Sequence, residues 1–352
     1  VYYSIGRIAQ KVSQLLVRKQ VGKIEASTDP LEAIKELDEG LSLIKGQENA
    51  KKQMRSVVLG IVDQRNHCDD LEKGNKGATI IYMIGPTGSG KSYSAEILTK
   101  ILTGSKSKPF IIEASDIDKQ SKKTSPVDQL FGMRLQREDG REIYKQSPLV
   151  KQLSSTPELV IIINEYDKMH TPDFDEKLRT MADQGYINVD GEKIDCSKAT
   201  IIITSNESSL SVNSGNNDSC SSDDGTGSRT SVKHDKAFTG RLKVIEFEPL
   251  TVKDYEEIAA PIFEAVLKRY NEEYGVKINL GDTLKTIARK VSIQNKGARP
   301  IFNFVDNLKQ TILNNIVLNS LNKKDCENKM YNVSYDEDLD EFILDEVEFK
   351  EE

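Results

Sequence analysis

The segment Gly85-Pro86-Thr87-Gly88-Ser89-Gly90-Lys91-Ser92 constrains this chain more than any other. It follows a short apolar run rich in β-formers, Thr79 to Ile84 (TIIYMI), and precedes a stretch from Ser92 to Leu102 that reads as helix. A G-x-x-x-x-G-K-S pattern in that strand–loop–helix setting is a specific signal. The glycines let successive backbone N–H groups turn inward on phosphate oxygens, and the helix N-terminus adds a favourable dipole. Lys91 is placed to reach the β- and γ-phosphates, and the Ser92 hydroxyl to ligate Mg²⁺. ATP and Mg²⁺ are therefore the expected cofactors.

More apolar runs follow at Pro109 to Glu113, Leu159 to Ile163, Thr200 to Thr204 and Val244 to Phe247, separated by helical or looped stretches. Continuous rather than alternating runs predict an α/β fold, a parallel sheet covered by helices on both faces. From Thr251, which makes a capping pair with Asp254, the pattern turns helical. Tyr331 to Phe349 alternates and reads as a hairpin. The expected domains are a helical N-terminal segment (1–34), a large nucleotide-binding α/β domain (35–250) and a small helical domain with a hairpin and acidic tail (251–352). Within the second, residues 207–236 are rich in Ser, Asn, Asp and Gly and read as a flexible surface loop.

Composition narrows the function classes. With 37% hydrophobic and 30% charged residues, the chain reads as an ordinary soluble globule. No apolar window of about 18 residues appears, so no membrane span is expected. The four cysteines show no C-x-x-C pair, which points to reduced thiols and a cytoplasmic location. The start at Val1, without methionine or a signal-like run, reads as a fragment or a processed chain. Asp325 to Glu352 carry twelve acids against two lysines, a local charge of −10 within a total of −7. The remainder is near neutral with no dense basic stripe, so nucleic-acid binding is not indicated.

The second chemical feature is the run Leu159-Val160-Ile161-Ile162-Ile163-Asn164-Glu165. A buried strand ending in acids after a phosphate loop is how such sites deliver a Walker B pair. Glu165 is the candidate general base. Asn164 occupies the position of the usual metal-shell aspartate, where it can accept a hydrogen bond from metal-bound water but brings no charge. Weakened metal affinity or turnover is therefore expected, with Asn164→Asp expected to raise hydrolysis.

The segment Ile161 to His170 (IIINEYDKMH) is similar to the Walker B region of Clp-type protein unfoldases and, around DKMH, of torsins. The resemblance covers roughly residues 35–345 and identifies the chain as similar to AAA+ ATPases of that group. It implies further site residues. Leu43 to Glu48 resembles the adenine-pocket segment, with Ile44 in contact with the base. Thr200 to Asn206 resembles the sensor-1 strand, with Asn206 orienting the attacking water. Phe238-Thr239-Gly240-Arg241-Leu242 resembles the segment carrying an arginine finger, and Gly297-Ala298-Arg299-Pro300 the sensor-2 motif. An arginine finger implies a homo-oligomeric, hexameric ring, and the family implies a protein substrate or partner protein. Gln129 to Gln136 lacks the aromatic-glycine pore loop of Clp unfoldases, and Phe131 there reads as a core aromatic. A DNA-associated ATPase and a nucleotide-gated assembly switch with little turnover stand as alternatives. His170 reads as structural, while His67 and His234 carry no evident constellation.

Overall fold

The computed structural model describes residues 29–66, 77–104, 108–117, 125–136, 142–207, 211–212, 233–234, 236–294, 296–317 and 330–347. The predicted helix over 1–25, His67 and most of the 207–236 loop lie outside them. The described residues divide into two compact units, the first running to Glu248 without Thr87–Ser89 and the second comprising Pro249 onward together with Thr87–Ser89.

The first unit opens with helices α1 (Pro30–Leu41) and α2 (Glu48–Asn66), then strand β1 (Thr79–Ile84) and helix α3 (Lys91–Thr103). There follow β2 (Phe110–Glu113), the short α4 (Pro126–Phe131), β3 (Met133–Gln136), β4 (Glu142–Lys145) and α5 (Pro148–Ser155). Next come β5 (Val160–Asn164), α6 (Pro172–Gln184), β6 (Tyr186–Val189), β7 (Glu192–Asp195) and β8 (Thr200–Ser205). Two-residue strands β9 (Ser211–Val212) and β10 (Lys233–His234), helix α7 (Lys236–Thr239) and strand β11 (Leu242–Glu246) complete it. Helices α1, α4, α5 and α6 each begin with a capping Asp, Ser or Thr followed by proline, Asp29-Pro30, Ser125-Pro126, Ser147-Pro148 and Thr171-Pro172. The capping oxygen satisfies an orphan N–H, and proline at the first helical position loses nothing, so each start is written locally.

Five strands form one parallel sheet in the order β11-β1-β8-β5-β2. Alternate residues of each strand serve opposite layers. Ile80, Tyr82, Ile161, Ile163, Ile201 and Ile203 pack with α4, α5 and α6. Ile81, Met83, Val160, Ile162 and Ile202 pack with α1, α2 and α3. Burial on both faces is why these strands read as unbroken apolar runs. It also sends the polar residues to the carboxyl ends of the strands, where Ile84 leads into the phosphate loop opposite Ser205 and Asn164 closes β5.

The second unit begins with α8 (Val252–Tyr274), whose N-terminus is a reciprocal capping box between Thr251 and Asp254. It continues with β12 (Lys277–Asn279), α9 (Thr283–Gln294), α10 (Pro300–Ile312), β13 (Met330–Asp336) and β14 (Glu341–Val347). The last two strands form the predicted antiparallel hairpin, with β12 added in parallel. Ile301, Phe304, Val305, Leu308 and Ile312 lie at helical spacing on the buried face of α10 and close this core.

Ile202 is fully buried at the centre of the sheet, whereas Ile111 on the edge strand is 54% exposed. Ile202→Ala is expected to lower unfolding free energy by about 2–5 kcal/mol. Ile111→Ala should stay within about 0.5 kcal/mol of the parent. Urea unfolding of both variants measures the contrast, and equal losses would contradict this assignment of the core.

Candidate nucleotide site

The phosphate loop is shaped by three glycines with positive φ, Gly85 (141°), Gly88 (76°) and Gly90 (104°), a region closed to most other residues. A Cβ on Gly85 would collide with the carbonyl oxygen of Phe247, so the close passage of the chain beyond β11 requires glycine there. Gly90 occupies the N-cap of α3 in a left-handed conformation and, lacking a side chain, cannot cap the first turn itself. Lys91 is buried and donates from Nζ to the carbonyls of Gly85 (2.7 Å) and Pro86 (2.8 Å) and to Asn206 Oδ1 (3.1 Å). Two residues 115 positions apart, named separately in the sequence, thus meet. Ser92, itself exposed, follows in the first turn of α3.

Asn164 and Glu165 stand at the end of β5, and both are held by Thr204 of β8. The Thr204 hydroxyl donates to Asn164 Oδ1 (3.3 Å) and accepts from the backbone N–H of Glu165 (3.2 Å). Glu165 itself has φ 57°, ψ 45°, a left-handed conformation that costs a non-glycine residue on the order of 1–3 kcal/mol. Its carboxylate pairs with Lys168 Nζ at 2.5 Å. Asp167 accepts from the backbone N–H of Asn206 (3.2 Å) and the Ser205 hydroxyl (3.4 Å), tying the turn after β5 to the end of β8. Sequence reasoning missed one residue here: Glu113, at the end of β2 opposite Asn164, accepts from Asn164 Nδ2 at 2.8 Å. Its only sequence signal was an acid closing an apolar strand.

Ile44 is buried in the turn between α1 and α2, packed with the helical layer that also covers Met83. The nearby Gln47 clamps this turn to the chain after β11: its Nε2 donates to the Glu248 carbonyl (2.7 Å) and its Oε1 accepts from the Glu248 N–H (2.9 Å). Arg241 follows α7, where it pairs with Asp183 of α6 and donates to the Ala237 carbonyl. Arg299 stands exposed at the start of α10 in the second unit. Phe131 is 6% exposed and packs against Phe174, a core aromatic. The exposed apolar side chains of that region are instead Leu135 and Ile143, cross-strand partners in the β3–β4 hairpin.

The reading of 207–236 as a surface loop requires correction at its ends. Glu207 and His234 are 1% and 0% exposed, and His234 belongs to a buried polar cluster. Its Nδ1 lies 3.1 Å from Asp175 Oδ2, and its Nε2 lies 3.1 Å from the Tyr82 hydroxyl and 3.5 Å from Glu207 Oε1. His170 Nε2 reaches the same Asp175 oxygen at 2.9 Å, and Tyr166 donates to the other. Averaged composition concealed this, because the polarity of the segment said nothing of two charges that pair with α6 and β1. Burial alone would lower the His234 pKa, but the bonds to Asp175 and Glu207 outweigh it and raise it to about 9. Burial would likewise raise Asp175, yet hydrogen bonds from His170, His234 and Tyr166 hold it below its usual value. Asp175 and Asp183 are eight residues apart, about two turns of α6, so one helix grips the segment carrying Arg241 at both His234 and Arg241.

Residues 76–245 match the AAA domain (Cdc48 subfamily). The chain is similar to the chaperone protein ClpB of Malacoplasma penetrans, 26% identical over 332 residues, covering 90% of this chain and 43% of that protein. It is similar also to the chloroplastic chaperone protein ClpC4 of Oryza sativa subsp. japonica, 27% identical over 245 residues, 65% of this chain and 25% of that one. ClpB of Clostridium tetani matches at 24% identity over 299 residues, 82% and 32% respectively. The chain therefore spans less than half the length of each of these relatives. Among the described residues, no helix is long and apolar enough to cross a membrane.

The His234 shift makes a pH prediction. A pKa raised from 6.5 to about 9 on folding contributes stability that is complete below about pH 6.5 and lost as pH rises through about 9. The groups facing His234 are Asp175, Glu207, His170, Tyr82 and Tyr166. The expected loss is on the order of 2–3 kcal/mol. Unfolding midpoints between pH 6.5 and 9.5 should fall in the parent protein and fall distinctly less in His234→Gln. Parallel profiles would remove the buried imidazolium.

Proposed function

We propose that this chain, whose residues 76–245 match the AAA domain and which is similar to ClpB chaperones, is an ATPase subunit that binds ATP and Mg²⁺ and remodels protein substrates as a homo-oligomeric, hexameric ring. The observation that carries this reading is the meeting of Lys91, from the phosphate loop, with Asn206, from the end of β8, beside the Asn164–Glu165 pair.

The donors available suit a magnesium nucleotide. The glycine loop offers backbone N–H groups and Lys91 a buried ammonium, with Ser92 supplying a hydroxyl and Asn164 an amide oxygen. In this reading the backbone of Gly85 to Gly90 and Lys91 cradle the phosphates, Ser92 and Asn164 hold the metal, and the Ile44 turn flanks the adenine. The bound metal would neutralise charge developing on the phosphate oxygens. Glu165 takes the proton of the attacking water at its carboxylate, which requires release from Lys168. Asn206 orients that water. Arg241 exchanges Asp183 for a neighbouring subunit's phosphates, and Arg299 is the sensor-2 arginine that the resemblance implies. With Phe131 in the core, contact with polypeptide falls to the exposed pair Leu135 and Ile143.

A second reading, a nucleotide-gated assembly switch with slow turnover, draws support from the missing charge at Asn164 and from the Glu165–Lys168 pair.

Lys91→Ala is expected to weaken ATP binding by at least about tenfold. Glu165→Gln should retain ATP binding while hydrolysis falls about 10²–10⁴-fold. Arg241→Ala should lower turnover about 10³-fold or more without changing nucleotide affinity of the isolated subunit. Equilibrium binding with single-turnover hydrolysis reads all three. Turnover unaffected by Glu165→Gln would remove that residue from the chemistry. A parent protein that assembles on ATP without hydrolysing it would favour the switch.

A further inference from the structure

We propose that Glu113 is a positioning residue for the metal half of this site, restoring from the neighbouring strand the negative charge that Asn164 lacks. The inference rests on the magnesium-nucleotide reading above and deepens it. Strands β2 and β5 run in parallel with Glu113 directly paired to Asn164, both half-buried at the carboxyl end of the sheet. Asn164 Nδ2 donates to Glu113 Oε1 at 2.8 Å, and Asn164 Oδ1 accepts from the Thr204 hydroxyl at 3.3 Å.

An ionised carboxylate only accepts hydrogen bonds, so the amide must turn its NH₂ toward Glu113. That fixes the orientation of Asn164: its nitrogen is committed to β2, and its carbonyl oxygen, the atom able to serve a cation or its water, faces away from it. The charge of the pair matters as well. An amide donating to a carboxylate is a strong, charge-assisted contact that leaves the pair with one net negative charge, as a lone aspartate would have. Glu113 and Asn164 thus divide between two strands what one carboxylate does elsewhere, the charge on one residue and the oxygen donor on the other.

The arrangement reverses an expectation drawn from the sequence. An aspartate at 164 would set two carboxylates against each other across a hydrogen-bonding separation, which disfavours their joint ionisation and pushes the side chains apart. Asn164→Asp alone is then a loss. It becomes a gain only when the carboxylate at 113 is replaced as well, as in Glu113→Gln.

A double-mutant cycle tests this: parent, Glu113→Gln, Asn164→Asp and the exchange variant Glu113→Gln/Asn164→Asp. The readout is the Mg²⁺ dependence of affinity for a fluorescent ADP analogue, with binding in EDTA as the metal-free reference. Each single variant is expected to require about tenfold more Mg²⁺ for half-maximal tightening, and the exchange variant to recover most of that loss. Each variant's Mg²⁺ dependence is read relative to its own affinity in EDTA, so that a change in phosphate repulsion alone is not counted as a change in metal binding. Glu113→Asp, which keeps the charge on a shorter arm, should lose less than Glu113→Gln and serves where Gln fails to fold. An Mg²⁺ dependence unchanged in Glu113→Gln, or tightened in Asn164→Asp alone, overturns the proposal. Four folded proteins that bind no nucleotide with or without Mg²⁺ overturn the nucleotide-site reading itself, and this proposal with it.

Discussion

The central sheet is buried on both faces, and the remainder of the first unit depends on that constraint. Residues of β1, β5 and β8 alternate between two apolar layers, Ile80 and Tyr82 on one side, Ile81 and Met83 on the other. A strand so enclosed has no solvated face for polar groups. Its chemistry moves to its ends, where backbone hydrogen bonding stops and the chain can turn. Parallel pairing then brings the carboxyl ends of all five strands to one edge. The phosphate loop, Asn164, Glu113 and Asn206 converge there because the sheet leaves them nowhere else.

One side chain organises that edge. Thr204 is 2% exposed, and its single hydroxyl both donates to Asn164 and accepts from the backbone of Glu165. It bonds across the β5–β8 pair to hold two adjacent residues in different backbone conformations, one extended and one left-handed. A buried hydroxyl satisfied in this way rigidifies its neighbours, since any rotation would leave a polar atom unpaired in a dry environment. Glu113 completes the same logic from the neighbouring strand by accepting a hydrogen bond from the Asn164 side-chain amide.

The buried His234 cluster does comparable work a layer away. A charge without water must be paired, and here Asp175 and Glu207 flank one imidazole while Tyr82 and Tyr166 complete the hydrogen bonding. The pairing joins α6, β1, the end of β8 and the segment that leads to Arg241. Phe238, buried against His234, adds an apolar anchor to this electrostatic tether. Glu207 is next in the chain to Asn206, so the candidate site and the anchor of the arginine segment share one strand end.

Much of this was legible in the residues themselves. The apolar runs marked β1, β5, β8 and β11, and the glycine-lysine loop marked the nucleotide edge. Thr251 with Asp254 marked the start of α8, because capping and burial patterns are written in residues close together in the chain. The phosphate loop and Asn206 were each readable alone, but not their contact across 115 residues. Glu113 looked like the end of a strand, His234 like part of a polar loop, and Asn164 like a plain loss of charge. Their roles depend on which side chain stands across a strand pair or against a helix face. Local pattern therefore determined the elements and the class of chemistry. Only the tertiary structure decided which charges are paired, because a hydrogen bond or ion pair is set by separation in space, and the sheet brings together residues that the chain keeps far apart.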